Sequence, residues 1–480
     1  MISRYLREQR RYSQKDLCDL LKCTEEKIVS IIRKLKEYGI VKAVKYSEIQ
    51  KDMSDLFDED IELSDVEIGK NEYYYVFTFV GVIAISGYIL KCYPKYILNN
   101  SAPIDDLKQV IKVLEKYNSK EQIIRMFSDN DNDSNFNLLP VLLFLLHDYY
   151  ESGIYTNTQE IIVSNGSGEI LWDKTINDTF TLINNNRPYY SDLKTRKRLA
   201  DDFDYFKRLH ECVLSNASNE LKEADLLELF DLEEIEISDE PLDNFGDENY
   251  ILTRIEQELN IQFNTRKQLL LKTIYTYISS SSNLNDIDCL SMFGTNSFNL
   301  VWEKVCAEVM NNQLHTTLNS LSLPVPIKSN YYGTMQLIDL IEKPLWSIPN
   351  KTSSTLIPDI VTIAKDNDEY KFIIFDAKYY NARLEPGQQP KAQPGIESVS
   401  KQYLYQLAFM KFISDHDIKT IKNCFLMPTE MKKIIDKGSV SINMLEKLEL
   451  DKIMIRLLPA NLVYSHYLEE KNFDISLLNL

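Results

Sequence analysis

Residues 357–378 constrain this chain more than any other stretch. Two runs of β-branched and aromatic residues, 360–363 and 370–375, flank the polar cluster Lys365-Asp-Asn-Asp-Glu369, which predicts a β-hairpin. A register that opposes Asp359 to Asp376 centres the turn between Asn367 and Asp368, inside that cluster. Side chains alternate along a strand, so Asp376 and Lys378 share one face while Ala377 points away. Two carboxylates and an ammonium then meet at one end of a sheet. Hydrolysis of a phosphodiester needs such a group. Oxygen ligands from Asp359 and Asp376 suit Mg²⁺, with Mn²⁺ as a substitute, and the metal activates a water and offsets negative charge on the phosphate. Lys378 is placed to position that water or to stabilise the transition state. The alternative is an exposed hairpin with ordinary surface charges. Pro358-Asp359, the hairpin spacing and an Asp-x-Lys ending an apolar strand jointly favour the site, a constellation of the PD-(D/E)xK type.

The flanks extend this reading. Upstream, Phe298, Val301, Trp302, Val305 and Val309 form the buried stripe of a helix. Glu303 on that helix is a candidate third metal carboxylate, or a solvent-facing glutamate. Downstream, a helix starting at Ser398 or Ser400 carries Lys401, Gln402, Tyr405 and Gln406. Gln402 and Gln406, four apart, share a face suited to phosphate or water contacts; the other reading is plain surface polarity. The intervening loop, 381–395, holds three Pro and two Gly with Arg383 and Lys391, and reads as a DNA clamp or a disordered connection.

At 480 residues the chain is long enough for about three domains. The expected fold is mixed α/β (α+β): a winged helix-turn-helix and β-rich domain at 1–97, a mostly helical middle region at 98–282, and the catalytic block at 283–480. Ser13 and Thr24 read as N-caps of two helices, Gly39 closes the second, and strands near 40–46 and 73–79 would form the wing around an acidic insert at 52–67. Lys27, Arg33 and Lys34 on the second helix are DNA-contact candidates, as are Arg383, Lys391 and Lys401; the helix pair fits protein contact equally well. Helices are expected from 104 to 150 and again from about 192 to 278, with an irregular stretch at 164–175 and a serine linker at 279–282. The net charge of −18 suits no polyanion-binding protein as a whole, but it is unevenly spread. Residues 223–248 hold twelve acidic side chains and no Lys or Arg, whereas residues 371–437 hold eleven Lys/Arg against seven Asp/Glu. Seven scattered Cys without a CxxC pair point to a reducing, cytoplasmic setting. The 18-residue uncharged run at 73–90 is long enough to raise a membrane span, but its Tyr, Val, Ile, Thr and two Gly suit strands, and no membrane association is expected.

The strings GT-x-SF-x-x-VWE, PDI, FDAKYY and KQYLYQL, in that order, resemble the LlaJI-type restriction endonuclease family, related to McrC nuclease subunits. Upstream, FVGVI, YPKY, GEILWDKTI and NRPYY extend the resemblance over most of the chain. It implies an endodeoxyribonuclease that restricts foreign double-stranded DNA in anti-phage defence. Asp359 and Asp376 fall on the metal carboxylates, Lys378 on the lysine and Glu303 on the helix glutamate. It also implies a separate McrB-like AAA+ GTPase ring as partner; residues 73–97, the acidic segments and the middle region at 98–282 are the candidate docking surfaces, and dimerisation of nuclease domains during double-strand cleavage is a further expectation. No G-x-x-x-x-G-K-[ST] occurs in this chain, so the motor would be another polypeptide. A stand-alone repair or mobile-element nuclease and a winged-helix DNA-binding regulator are the competing readings.

Overall fold

The structure is a computed structural model that describes residues 1–45, 73–127, 137–156, 158–200, 204–280, 283–284, 286, 290–344, 355–366, 369–380, 393–443, 445, 450 and 452–480. The acidic insert at 52–67, the end of the serine linker, the turn at Asn367 and Asp368, and the loop residues Arg383 and Lys391 lie outside the described residues. The chain forms two compact units, one of residues 1–130 with 292–480 and one of residues 131–291. The sequence reading divides the chain at 97 and 282 instead, and separates two segments that here share a unit.

The first unit opens with β1 (Ile2–Arg7), β2 (Arg11–Ser13), α1 (Gln14–Leu21), α2 (Glu25–Glu37), β3 (Val41–Lys45) and β4 (Tyr73–Phe77). Ser13 and Asp16 form a reciprocal capping box, at 3.1 and 2.9 Å, and the Thr24 hydroxyl accepts the Lys27 N–H. Ile28, Ile31, Ile32 and Leu35 form the buried stripe of α2. Strand β4 pairs antiparallel with both β2 and β3, so this sheet has the order β2-β4-β3. The uncharged run continues as β5 (Val80–Ile85) and β6 (Tyr88–Tyr93), a hairpin turned at Ser86 and Gly87, both with positive φ. No helix among the described residues is long and apolar enough to cross a membrane. Helix α3 (Ile104–Phe127) follows.

The second unit holds α4 (Leu138–Ser152), β7 (Thr158–Ser164), β8 (Glu169–Ile170), α5 (Trp172–Asp178), β9 (Thr181–Asn184), β10 (Arg187–Tyr190), β11 (Lys194–Ala200), α6 (Tyr205–Glu223), α7 (Glu248–Ile261) and α8 (Thr265–Ser279). The apolar run at the start of α4 is buried, as its length requires. Residues 158–200 depart from the expected pattern. They form one sheet of order β7-β11-β8 and a separate β9–β10 hairpin, and β11 stands where helix is expected. Seven residues of β11 pair in register with β7, and that long-range pairing outweighs the weak local preference of Lys-Thr-Arg-Lys-Arg-Leu-Ala.

The chain returns to the first unit through β12 (Leu290–Thr295), which completes the sheet β1-β6-β5-β12. Two glycines allow it. Gly81 and Gly294 have φ of +140° and +152°, and a methyl group on either would strike the other strand's backbone. Beyond it lie α9 (Phe298–Val309), β13 (Ile360–Asp366), β14 (Glu369–Ala377), α10 (Ile396–Asp415), β15 (Thr420–Thr429), β16 (Ile435–Val440), β17 (Ile453–Pro459) and α11 (Ala460–Leu468). The last five strands form one sheet of order β13-β14-β15-β17-β16. The β14–β15 and β15–β17 pairs are parallel and the two edge pairs antiparallel, with α10 as the crossover from β14 to β15. One face of β13 and β14, with Val361, Ile363, Phe372 and Ile374, packs on Tyr405, Phe409 and Phe412 of α10. Each such side chain contributes about 1.5–3 kcal/mol by leaving water.

Candidate active site

The pairing of β13 with β14 runs from Ile360 opposite Phe375 to Asp366 opposite Glu369. One step further along that register, Asp359 stands across from Asp376, as the spacing requires. The Asp359 carboxylate accepts the Ala377 backbone N–H at 3.1 Å, and Lys378 Nζ lies 2.8 Å from Asp376 Oδ1. The three predicted residues therefore meet. Asp376 is buried, and burial pushes the Asp359 carboxyl up strongly; the Asp376 carboxylate, hydrogen-bonded to it, pushes it further, and Lys378 only partly offsets this. Two acids this close repel each other when both are charged, and a cation between them relieves that repulsion. Burial alone would lower the Lys378 ammonium, but Asp376 and Asp359 hold it above its usual range, so it stays charged. Glu303 is raised by burial, Lys378 opposes this and Asp376 adds a smaller upward push, which puts its charge within reach of the same group.

The donor set can be tested against a metal. Two adjoining carboxylates with no soft ligand fit a hard divalent cation such as Mg²⁺, which needs one or two carboxylates and keeps several waters. Among the described residues no three His, Cys, Asp or Glu side chains form a ready-made cage. The pair Asp359 and Asp376 is thus the core of the fit, and Glu303 its electrostatic neighbour.

The supports lie around the Leu426 carbonyl, which accepts the Lys378 backbone N–H at 2.9 Å and the Trp302 indole N–H at 3.2 Å. That shared acceptor ties α9, and Glu303 next to Trp302, to the end of β14. Asn312 was not foreseen. Its amide donates to the Asp359 carbonyl and accepts from the Val361 N–H, both at 3.0 Å, while Gln313 accepts from the Ile363 N–H. These side chains satisfy the free edge of β13 and hold Asp359 in place. The available signal is the polar Asn-Asn-Gln at 311–313 after an apolar helix. Tyr405 was placed on the right helix but given no role. Its phenol is pushed up to about 12, by burial and then by Asp376 and Asp359, so it borders the carboxylates.

The remaining candidates divide. Gln402 and Gln406 share a face of α10, but it is the buried one. The Gln402 amide donates to the Ile374 carbonyl at 2.8 Å, and Gln406 accepts from Asn423, so both amides are engaged with the sheet. The helix begins at Ile396 after Gly395, two residues before Ser398 and four before Ser400. Lys401 is at the surface in an i,i+4 pair with Glu397, whose charge is also felt by Lys378. On α2, Arg33 is exposed, and Lys27 Nζ sits 4.6 Å from the Tyr88 ring centroid. Lys34 is half-buried on the same helix.

A model of the LlaJI restriction endonuclease family matches residues 79–461. The chain belongs to that family. The protein described as type II restriction enzyme BsuMI component YdjA of Bacillus subtilis (strain 168) is 26% identical over 420 residues, covering 83% of this chain and 82% of its own. Among solved structures, the half-complex of Thermococcus gammatolerans McrB AAA+ hexamers with bound McrC is similar at a TM-score of 0.36 and 11% identity, over 98% of this chain and 99% of that one. The cryo-EM structure of the Thermococcus gammatolerans McrBC complex is similar at 0.26 and 12%, over 63% and 85%. Membership in the LlaJI restriction endonuclease family makes this chain a restriction nuclease by class. Asp359, Asp376, Lys378 and Glu303 all fall inside the matched residues, whereas α1 and α2 precede them.

Proposed function

We propose that this LlaJI-family chain is the Mg²⁺-dependent, DNA-cutting subunit of a restriction system, with a PD-(D/E)xK centre made by Asp359, Asp376 and Lys378. The observation that carries this is the convergence of two adjoining carboxylates and a charged lysine at one strand end, with Asp359 pushed up by burial and by Asp376. The parallel-centred sheet with α10 as crossover supports the nuclease-like core. When bound, Mg²⁺ supplies the positive charge that offsets what develops on the scissile phosphate. Asp359 and Asp376 would hold it through carboxylate oxygens. Lys378, charged and 2.8 Å from Asp376, is placed to donate to a phosphate oxygen or to orient the attacking water. Glu303 adds a third carboxylate on the helix side, and Tyr405 closes the apolar wall behind the pair.

A McrB-like GTPase is the proposed partner. The support is the sequence resemblance, the lack of a nucleotide-binding loop in this chain, and a Bacillus relative described as one component of a restriction enzyme. The N-terminal helix pair with sheet order β2-β4-β3 supports a winged helix-turn-helix, and Arg33, with Lys27 and Lys34, is its proposed DNA-facing group. Nicking of supercoiled DNA with and without Mg²⁺ tests the centre. Asp376→Asn and Lys378→Ala should each lose on the order of 100-fold or more in rate. Equal activity in all three proteins would overturn the assignment.

A further inference from the structure

Residues alternate along β14, so the face opposite Asp376 and Lys378 carries Ala377 and then Tyr379. Tyr379 is buried, and its surroundings are not merely apolar. Its hydroxyl donates to Glu8, a carboxylate only 4% exposed at the end of β1. The same carboxylate accepts the Lys95 backbone N–H at 3.1 Å. The Lys95 ammonium lies 4.4 Å from the Tyr379 ring centroid and donates to Gln9 at 3.0 Å. Tyr96 and Phe298 pack on the ring at centroid distances of 6.3 and 5.3 Å, and Tyr96 hydrogen-bonds Tyr464 of α11. Four elements thus converge on the residue next to Lys378: the ends of β1 and β6, the start of α9, and α11.

A buried carboxylate beside a half-buried ammonium is a costly way to fill space, since apolar side chains of the same volume would pack at least as well. What such a group adds is direction, because each hydrogen bond admits one arrangement. Two sequence strings that the catalytic reading leaves unused, YPKY and the second half of FDAKYY, meet here.

We propose that Glu8, Lys95 and Tyr379 form a latch by which the N-terminal sheet positions the end of β14, with Tyr379 as a positioning residue for the Asp359–Asp376 metal pair. This rests on the reading of that pair as the metal site. Losing the latch frees the strand end on one side, with only the Leu426 carbonyl left to hold Lys378 from the other, and the two carboxylates lose their mutual register. Outer-shell groups of this kind change metal affinity by about 10–100-fold.

The test is calorimetric titration of the full chain with Mn²⁺ alone. Tyr379→Phe removes only the hydroxyl, and Glu8→Ala removes its acceptor; each should weaken Mn²⁺ binding by about 10-fold. Glu8→Gln keeps an acceptor of the same size and should recover most of the affinity, which also carries the test if Glu8→Ala does not fold. Tyr277→Phe, which removes a Tyr-to-Glu220 hydrogen bond of 3.0 Å in the second unit, should leave binding unchanged while lowering the melting temperature. Mn²⁺ affinities within about twofold of wild type in Tyr379→Phe and Glu8→Ala would overturn the latch. Wild-type affinity in Asp376→Asn would instead overturn the metal site itself.

Discussion

At the scale of single residues, the candidate centre follows from two rules: alternation along a strand, and the cost of placing acids together. The hairpin spacing opposes Asp359 to Asp376, and every pair from Ile360–Phe375 to Asp366–Glu369 keeps that register. Asn312 was less legible, because its importance lies in filling the hydrogen bonds of a strand 47 residues away. Asn312→Ala leaves the Asp359 carbonyl and the Val361 N–H unpaired, and should cost about 1–3 kcal/mol, read from urea denaturation. His210 contributes a pH dependence to the second unit. It is fully buried, its Nδ1 accepts the Tyr155 N–H at 3.0 Å, and burial pushes its pKa down to about 4. The unfolded chain takes up that proton first as pH falls, so the stability is intact above the ordinary value of 6.5 and is lost on descending toward 4. Denaturation at pH 5 should show the unit weaker than at pH 7 by on the order of 2 kcal/mol, and His210→Gln should flatten the difference.

Among elements, caps and stripes read well. The capping box at Ser13, the Thr24 cap and the α9 stripe all stand where local sequence puts them, because each depends on residues within a turn or two. Ser13→Ala should accordingly cost about 1 kcal/mol in thermal unfolding. Strands whose partners are distant read badly: β11 has only a helix-like local composition, and its identity comes from β7. The Gly81–Gly294 crossing is of the same kind. Both glycines sit in backbone regions closed to other residues and face each other from strands some 200 positions apart in sequence. Gly294→Ala should destabilise the first unit by more than about 2 kcal/mol, visible as a lower melting temperature, while Gly153→Ala, where a methyl group meets nothing, should cost only its backbone strain. A Gly294→Ala protein that melts with wild type would show that the crossing can relax.

For the whole molecule, the decisive fact is that the first unit is assembled from both ends of the chain. β12 finds its partner in β5, and Tyr379 finds Glu8 and Lys95, only because residues 1–130 are present. A fragment of residues 283–480 alone should therefore expose the β12 edge and the latch face. Calorimetry should find no cooperative transition for it, or one far below that of the full chain; an equally stable fragment would show that the block is autonomous. The sequence by itself determined the family, the mixed α/β class and the meeting of Asp359, Asp376 and Lys378 at one strand end, since these depend on short-range periodicity and on residue types at fixed spacing. Tertiary structure alone decided which face of α10 is buried, where β11 pairs, and that Glu8, just after the first strand, meets Tyr379, just after β14. Those outcomes are set by contacts that span from 21 positions, Gln402 to Asn423, up to 371, Tyr379 to Glu8, and no local pattern encodes them.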